Sequence, residues 1–459
     1  MNDKKLYNLI YIAILAAFLA LQAFSLNIQA DLWWDSSVYV GMGKYIYSFG
    51  ESGLWEPSRP LAWPLIIGFY WKIGIDYLFF SKLTIILFGV ASAALTYKIA
   101  LKLFNVTVAT YTLLFLCLSS TFFIYNGVLQ TEIPSMFFFL LGFYFFLQKK
   151  TKLSGFIFGT AVMTRFFQVF LIIPIILSLI YLLVKGKERI KNIALFMLCF
   201  FIPIIPYLIF NMYLYNDMLY PLSLQAFMTK NTGWIFNHSA SFYFTSLFKE
   251  NFLIVFSLFG IIALFRKNFE KKIFLFIFLF AFGLYTLAKH KEMRLLISIL
   301  PFLYAITSLG FLSFFKKFGL YKKPLIIIMM AVFLIQASTQ LRFNKYDDHF
   351  DPFYAYMGSA SIKDGIWISN PSFIALTNKK ADELIYYPIY NSTKAKYLQS
   401  KINDASLVMF NTCDVMPCHP DDKRCILETE KLIGAFSKNL RLMHNSTYNG
   451  CNYLIFQEA

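Results

Sequence analysis

The sequence predicts a polytopic α-helical membrane protein with about eleven transmembrane helices and a C-terminal extracytoplasmic α/β domain. Three observations carry this. Fifty-eight per cent of the 459 residues are hydrophobic and only 15% are charged. The mean hydropathy is +0.58. Apolar runs recur at lengths that span a hydrocarbon core of roughly 30 Å as helices. The pattern of apolar runs stops near Arg342, beyond which charges, Asn and turn residues rise.

The runs lie at about 6–26, 76–101, 107–124, 130–148, 153–166, 168–184, 192–212, 244–265, 271–288, 295–314 and 324–340, the fifth being short. No small-residue cleavage site follows the first, so it is expected to remain as a span. Lys4-Lys5, Lys98 to Lys102, Lys149 to Lys152, Lys185 to Lys191, Arg266 to Lys272 and Lys316 to Lys323 alternate with poorly charged loops. Basic loops face the cytoplasm, which puts the N-terminus inside and the C-terminal domain outside a cell membrane. The net charge of +17 is therefore topological. No basic stripe follows a soluble face, which argues against nucleic acid as a partner.

This topology gathers three polar segments on the outer side: residues 27–75, residues 213–243 and the tail, 341–459. The short loop 289–294 joins them. The tail reads as a separate domain. Gly365–Ser369, Ala405–Phe410 and Tyr453–Phe456 read as strands, and Lys394–Lys401 and Cys425–Lys438 as amphipathic helices. A unit of this size can bury its own core. Cys413, Cys418, Cys425 and Cys451 suggest two disulfides. Zinc is the alternative, with His419 beside Cys418, but the spacing fits no common zinc pattern. Cys117 and Cys199 lie in spans and read as packing residues.

Four places carry ionisable residues where the bilayer makes them costly. The first loop reads Asp31-Leu-Trp-Trp-Asp35-Ser-Ser-Val-Tyr39 and continues to Arg59-Pro60. Trp33, Trp34 and Tyr39 suit a membrane interface. Val38 to Phe49 has an amphipathic pattern that would lie flat on the bilayer. A helix cap is the plainer reading of Asp31 or Asp35, but it leaves the other charges on this side unexplained. Glu132 opens a span in Gln130-Thr131-Glu132-Ile-Pro134, where the helix dipole favours an acid. Acids at membrane depth are also site candidates. Arg165, in Gly159 to Phe167, lies at an outer junction against the orientation rule; a lipid phosphate or Glu132 would retain it. Last comes Lys289-His290-Lys291-Glu292-Met293-Arg294, five ionisable residues in six, which reads as a phosphate cradle.

No phosphate-gripping Gly-Lys-Ser loop, Ser nucleophile elbow, His-Glu-x-x-His helix or internal repeat is present. Asp35-Ser-Ser-Val-Tyr39, Arg59-Pro60-Leu-Ala-Trp-Pro64, Thr131-Glu132 and Gly159 to Arg165 together resemble polyprenyl-phosphate-sugar glycosyltransferases of the GT-C fold, among them protein O-mannosyltransferases and the aminoarabinose transferases of lipid A. The run His290-Lys291-Glu292-Met293-Arg294 is similar to the His-Lys-Glu-x-Arg signature of dolichyl-phosphate-mannose mannosyltransferases. The resemblance covers roughly residues 1–340. Many members carry two adjacent acids where this chain has Asp35-Ser36, and Asp31, one turn earlier, could substitute.

The resemblance implies an inverting hexosyltransferase, with a polyprenyl- or dolichyl-phosphate-linked sugar as donor and a glycan, lipid or protein as acceptor, working among membrane lipids. Asp35, Asp31 and Glu132 would be the catalytic acids, with Asp35 the base. Arg59, Arg165, His290, Lys291 and Arg294 would bind the donor phosphate, and Tyr39 and Glu292 would orient sugar or acceptor. No cofactor and no protein-bound metal are required; a divalent cation, Mg or Mn, is left open. A flippase or transporter of lipid-linked sugars would instead show charges at mid-span and a pseudo-symmetric repeat. A non-catalytic scaffold would not depend on Asp35.

Overall fold

The computed structural model describes residues 3–26, 32–232, 234–265, 267–341, 364–386, 391–415, 418–419, 421–448 and 450–458. Each apolar run forms helix, and three are opened by a side-chain cap, from Asp76, Asn105 and Asn268. Asp76 accepts from the backbone N–H groups of Leu78 and Phe79 to start Tyr77–Leu103. Asn105 does the same for Val106–Cys117 through Val108.

Length distinguishes the helices. Among the described residues, four stretches are long and apolar enough to cross a membrane: Lys5–Phe24, Tyr77–Leu103, Phe166–Val184 and Met293–Gln340. The last is broken at Gly319, which has φ 55°. Two bent pairs raise the number to six. Ile190–Phe201 meets Ile205–Tyr215 at 48°, and Phe242–Glu250 meets Phe252–Phe265 at 120°. Val106–Cys117 and Glu132–Leu147 are apolar but shorter. The chain is a multi-pass membrane protein with a small C-terminal sheet.

That sheet has five strands: β1 (Ile366–Ile368), β2 (Glu383–Leu384), β3 (Leu407–Asn411), β4 (Arg441–Tyr448) and β5 (Cys451–Gln457). Their order is β2-β1-β3-β5-β4. β1 runs parallel to β2 and β3, while β5 runs antiparallel to β3 and β4. Cys413 is bonded to Cys451 and Cys418 to Cys425. Cys117 is buried and Cys199 is partly exposed, both as free thiols.

Strand side chains alternate between faces, and the two faces find different partners. Trp367, Val408, Phe410 and Phe456 pack with Leu432 and Phe436 of the tail's own Lys423–Asn439 helix. Ile366, Ile368, Leu407, Met409 and Ile455 pack with Val38, Met42 and Leu54 of the first loop. The tail therefore does not bury its core alone: the first loop is one of its layers.

This changes the expected place of the amphipathic segment. It forms the helix Trp34–Tyr47, and Ser36 to Lys44 are all buried. It lies under the C-terminal domain rather than on a lipid surface. Beneath it runs the helix Ala62–Lys72. The two approach backbone to backbone: a Cβ on Gly43 would sit 2.7 Å from the Pro64 carbonyl oxygen and 2.8 Å from the Gly68 nitrogen. Only glycine permits that contact, which sets the depth at which Asp35 is held.

Candidate active site

Asp35 is in the first turn of the Trp34–Tyr47 helix, but it is not a cap. The N-cap residue is Trp33, with no side-chain cap bond. Both Asp35 oxygens are taken by arginines instead. Arg59 Nη2 donates to Oδ1 at 2.7 Å and Arg294 Nη1 to Oδ2 at 2.5 Å. Burial pushes the Asp35 carboxyl pKa up, but the two guanidinium groups outweigh it and hold the pKa well below the usual carboxylate range.

Arg59 is fixed along its whole fork. Its Nε donates to Glu56 Oε1 at 3.0 Å and its Nη1 to the Tyr39 hydroxyl at 3.2 Å. Tyr39 is also 3.4 Å from Thr131 Oγ1, next to Glu132. Arg165 pairs with Glu132, one of the two partners considered for it. Arg294 touches three carboxylates. Besides Asp35, its Nη2 lies 2.9 Å from Glu292 Oε1 and its Nε 4.0 Å from Glu132 Oε1. His290 Nε2 meets Glu292 Oε1 at 2.5 Å, and its ring lies against Phe236 at 4.6 Å between centroids. Burial raises the Glu292 carboxyl, but the bonds from His290 and Arg294 bring it below its ordinary value.

The charged run after Ala288 thus divides. Arg294, His290 and Glu292 line the site. Lys291 does not. It is buried, and its amine donates to the carbonyl oxygens of His238 (2.9 Å) and Ala288 (2.5 Å). It clamps the loop around His238 in place rather than facing a phosphate. Lys289 is exposed. Asp31 lies outside the described residues.

The remaining candidates border one cavity of about 330 Å³. Asp35, Tyr39, Arg59, Glu132, Arg165, His290, Glu292 and Arg294 supply its charge. Phe166, Phe167, Phe170, Met228, Leu284 and Leu295 make much of the rest apolar. Met228, with Gln225 and Thr229, comes from the helix Tyr220–Thr232.

Three contributors escape a reading of sequence. Glu56 is fully buried beside Arg59; an acid three positions before the arginine was the available signal. Gln168 Nε2 donates at 2.7 Å to both Ser135 and Ser298. It ties Arg165 to the helix of Glu132 and the turn of Arg294. Tyr386 of the C-terminal domain donates to Glu56 Oε2 at 3.2 Å, and nothing local marks it.

Among the described residues, no three His, Cys, Asp or Glu side chains are grouped to hold a metal ion. The carboxylates here face guanidinium groups. A cavity with three arginines among buried carboxylates and an adjoining apolar lining suits an anion that carries a greasy chain.

These features define a membrane glycosyltransferase of the GT-C class. The family model for Alg9-like mannosyltransferases matches residues 11–357, and the chain belongs to that family. No curated sequence matches the chain significantly. ArnT from Cupriavidus metallidurans in its apo state is similar in structure, with a TM-score of 0.64 at 8% identity over 97% of each chain. The same enzyme bound to undecaprenyl phosphate gives 0.54 at 13% identity, over 65% of this chain and 59% of that one. The Archaeoglobus fulgidus oligosaccharyltransferase with zinc and sulfate gives 0.60 at 11% identity, over 86% of this chain and 67% of that one. At these identities the likeness speaks for the fold.

Proposed function

We propose that this chain transfers a hexose, with mannose the first candidate, from a polyprenyl- or dolichyl-phosphate donor to a lipid-linked glycan, lipid or protein acceptor at the outer membrane face. The observation that supports this best is the Asp35 carboxylate held between Arg59 and Arg294 inside a partly apolar cavity. Two solved relatives agree in kind: an ArnT structure contains undecaprenyl phosphate, and an oligosaccharyltransferase structure contains a tethered acceptor peptide. Eleven spans with basic loops inside would place the cavity at the outer rim, where the lipid chain can stay in the bilayer.

The two arginines neutralise Asp35, which makes it a poor base. A donor phosphate offers a guanidinium fork two oxygens, as a carboxylate does. As the phosphate shares the charge of Arg59 and Arg294, their hold on Asp35 weakens and burial raises its proton affinity. Asp35 then takes the proton of the acceptor hydroxyl, whose oxygen attacks the anomeric carbon. The bond from that carbon to the phosphate oxygen breaks, and the electron pair leaves on the lipid phosphate. Arg59, Arg165 and Arg294 meet the charge that grows there. Glu132, Tyr39 and Glu292 orient sugar and acceptor.

The test is transfer from synthetic polyprenyl-phosphate mannose by purified protein, with and without a chelator. Transfer that Asp35→Asn abolishes supports the reading. Absence of transfer with any polyprenyl-phosphate hexose, together with no binding of polyprenyl phosphate, would overturn it. Full activity in the chelator would exclude a required metal.

A further inference from the structure

We infer that the outer domain is a working part of the transfer site, and that Tyr386 is its positioning residue, acting through Glu56 on Arg59. This rests on the proposed transfer function. The contacts form an unbroken chain. The Tyr386 hydroxyl donates to Glu56 Oε2 at 3.2 Å; the other Glu56 oxygen receives Ser58 Oγ at 2.5 Å and Arg59 Nε at 3.0 Å. Arg59 Nη2 then reaches Asp35 at 2.7 Å. All of Glu56 and Tyr386 is buried.

The geometry gives the chain consequences. A guanidinium holds its donors in one rigid plane. Fixing Nε on Glu56 therefore fixes where Nη1 and Nη2 point. Glu56 in turn has few ways to turn, because its three donors come from two directions: Ser58 and Arg59 from its own loop, Tyr386 from the sheet side. The Tyr386 ring is itself set edge-on against Trp34, 4.5 Å between centroids, and Trp34 precedes Asp35. One outer-domain residue thus touches both the arginine's support and the neighbour of the base.

Docking of the domain does not depend on that hydroxyl. Gly53 N donates to the Lys379 carbonyl and Ala381 N to the Gly53 carbonyl, both at 2.9 Å. Gly53 has φ 88°, and a Cβ there would sit 2.1 Å from the Gly41 carbonyl oxygen. Lys44 donates to the Ala375 and Thr377 carbonyls at 2.6 and 2.8 Å. Tyr386→Phe removes one oxygen and leaves this seam and the ring packing in place, so it reports on positioning rather than on folding.

The experiment compares full-length wild type, Tyr386→Phe, Glu56→Gln and the double variant. It reads kcat and KM for polyprenyl-phosphate mannose, affinity for undecaprenyl phosphate, and thermal unfolding. Tyr386→Phe is expected to stay folded at the assay temperature, unfolding somewhat earlier than wild type because a buried carboxylate loses a donor, yet to lose about tenfold in transfer, in line with a hydrogen bond to a charged group. The double variant should be no worse than Glu56→Gln alone, because both changes act on one arginine. Wild-type kinetics in Tyr386→Phe overturn the proposal while leaving the transfer function standing, and so does a multiplied loss in the double variant. A wild type that neither transfers nor binds polyprenyl phosphate overturns both.

Discussion

Asp35 and Arg294 are 259 positions apart and meet at 2.5 Å. With Arg59 on the other oxygen, that contact joins the first loop to the loop after Ala288 and closes the charged side of the cavity. It also makes Asp35 a competitor of any anion that enters.

Asp35→Asn should therefore separate binding from chemistry. Loss of the base is expected to reduce transfer on the order of 10²-fold or more, roughly 3 kcal/mol of transition-state stabilisation. Affinity for undecaprenyl phosphate should rise, because two guanidinium groups are released. A binding isotherm for wild type and variant checks the second point; weaker binding in the variant would contradict the competition.

Arg294→Ala should fail in both respects. It strips a partner from Asp35 and Glu292 and distances a cation from Glu132. Breaking a buried pair costs about 3–5 kcal/mol. The arginine is 20% exposed, which puts the expectation near the lower figure. A lower melting temperature and weaker undecaprenyl phosphate binding are the readouts, with Arg294→Lys intermediate.

Lys44 predicts a pH dependence for docking of the outer domain. Burial pulls its amine down to about 7 from 10.5. The groups against it are the Tyr77 hydroxyl and ring and the Ala375 and Thr377 carbonyls. Between about pH 7 and 10.5 the unfolded chain holds a proton that the docked form lacks. Stability therefore rises with pH across that window and is flat with respect to this group below it. Limited proteolysis of the outer domain at pH 7 and pH 9 should show better protection at pH 9. Lys44→Met should remove the difference.

Four cysteines of the outer domain should resist alkylation in the unreduced, denatured protein, leaving only Cys117 and Cys199 reactive. The Cys413–Cys451 bond closes a separation of 38 residues, and its removal by paired Ser substitutions should cost the domain about 2–4 kcal/mol. Thiol counting by mass spectrometry and thermal unfolding check the two parts.

Orientation is open to a direct measurement. A reporter fused after Arg342 should be active outside and one at Lys150 active inside. A cytoplasmic signal from the first would reverse the placing of the site.

Local chemistry determined much of this protein. Apolar runs locate the helices, because burying side chains in lipid and closing backbone hydrogen bonds within one segment are requirements each stretch meets alone. Asp35, Arg59, Glu132, Arg165 and Arg294 are legible as candidates because charge at membrane depth has to be retained by something. Partner choice is not local. Lys291 and Arg294 look alike in sequence, yet one amine holds two backbone carbonyls and the other side chain meets three carboxylates. That difference is set by which loop lies opposite each. Glu56, Gln168 and Tyr386 are ordinary residues until the fold brings them together. The outer domain reads as self-sufficient because strand alternation shows two apolar faces without naming their partners. Only the tertiary structure decided that one face is covered by the helix carrying Asp35, since shape and contact across hundreds of positions select that pairing.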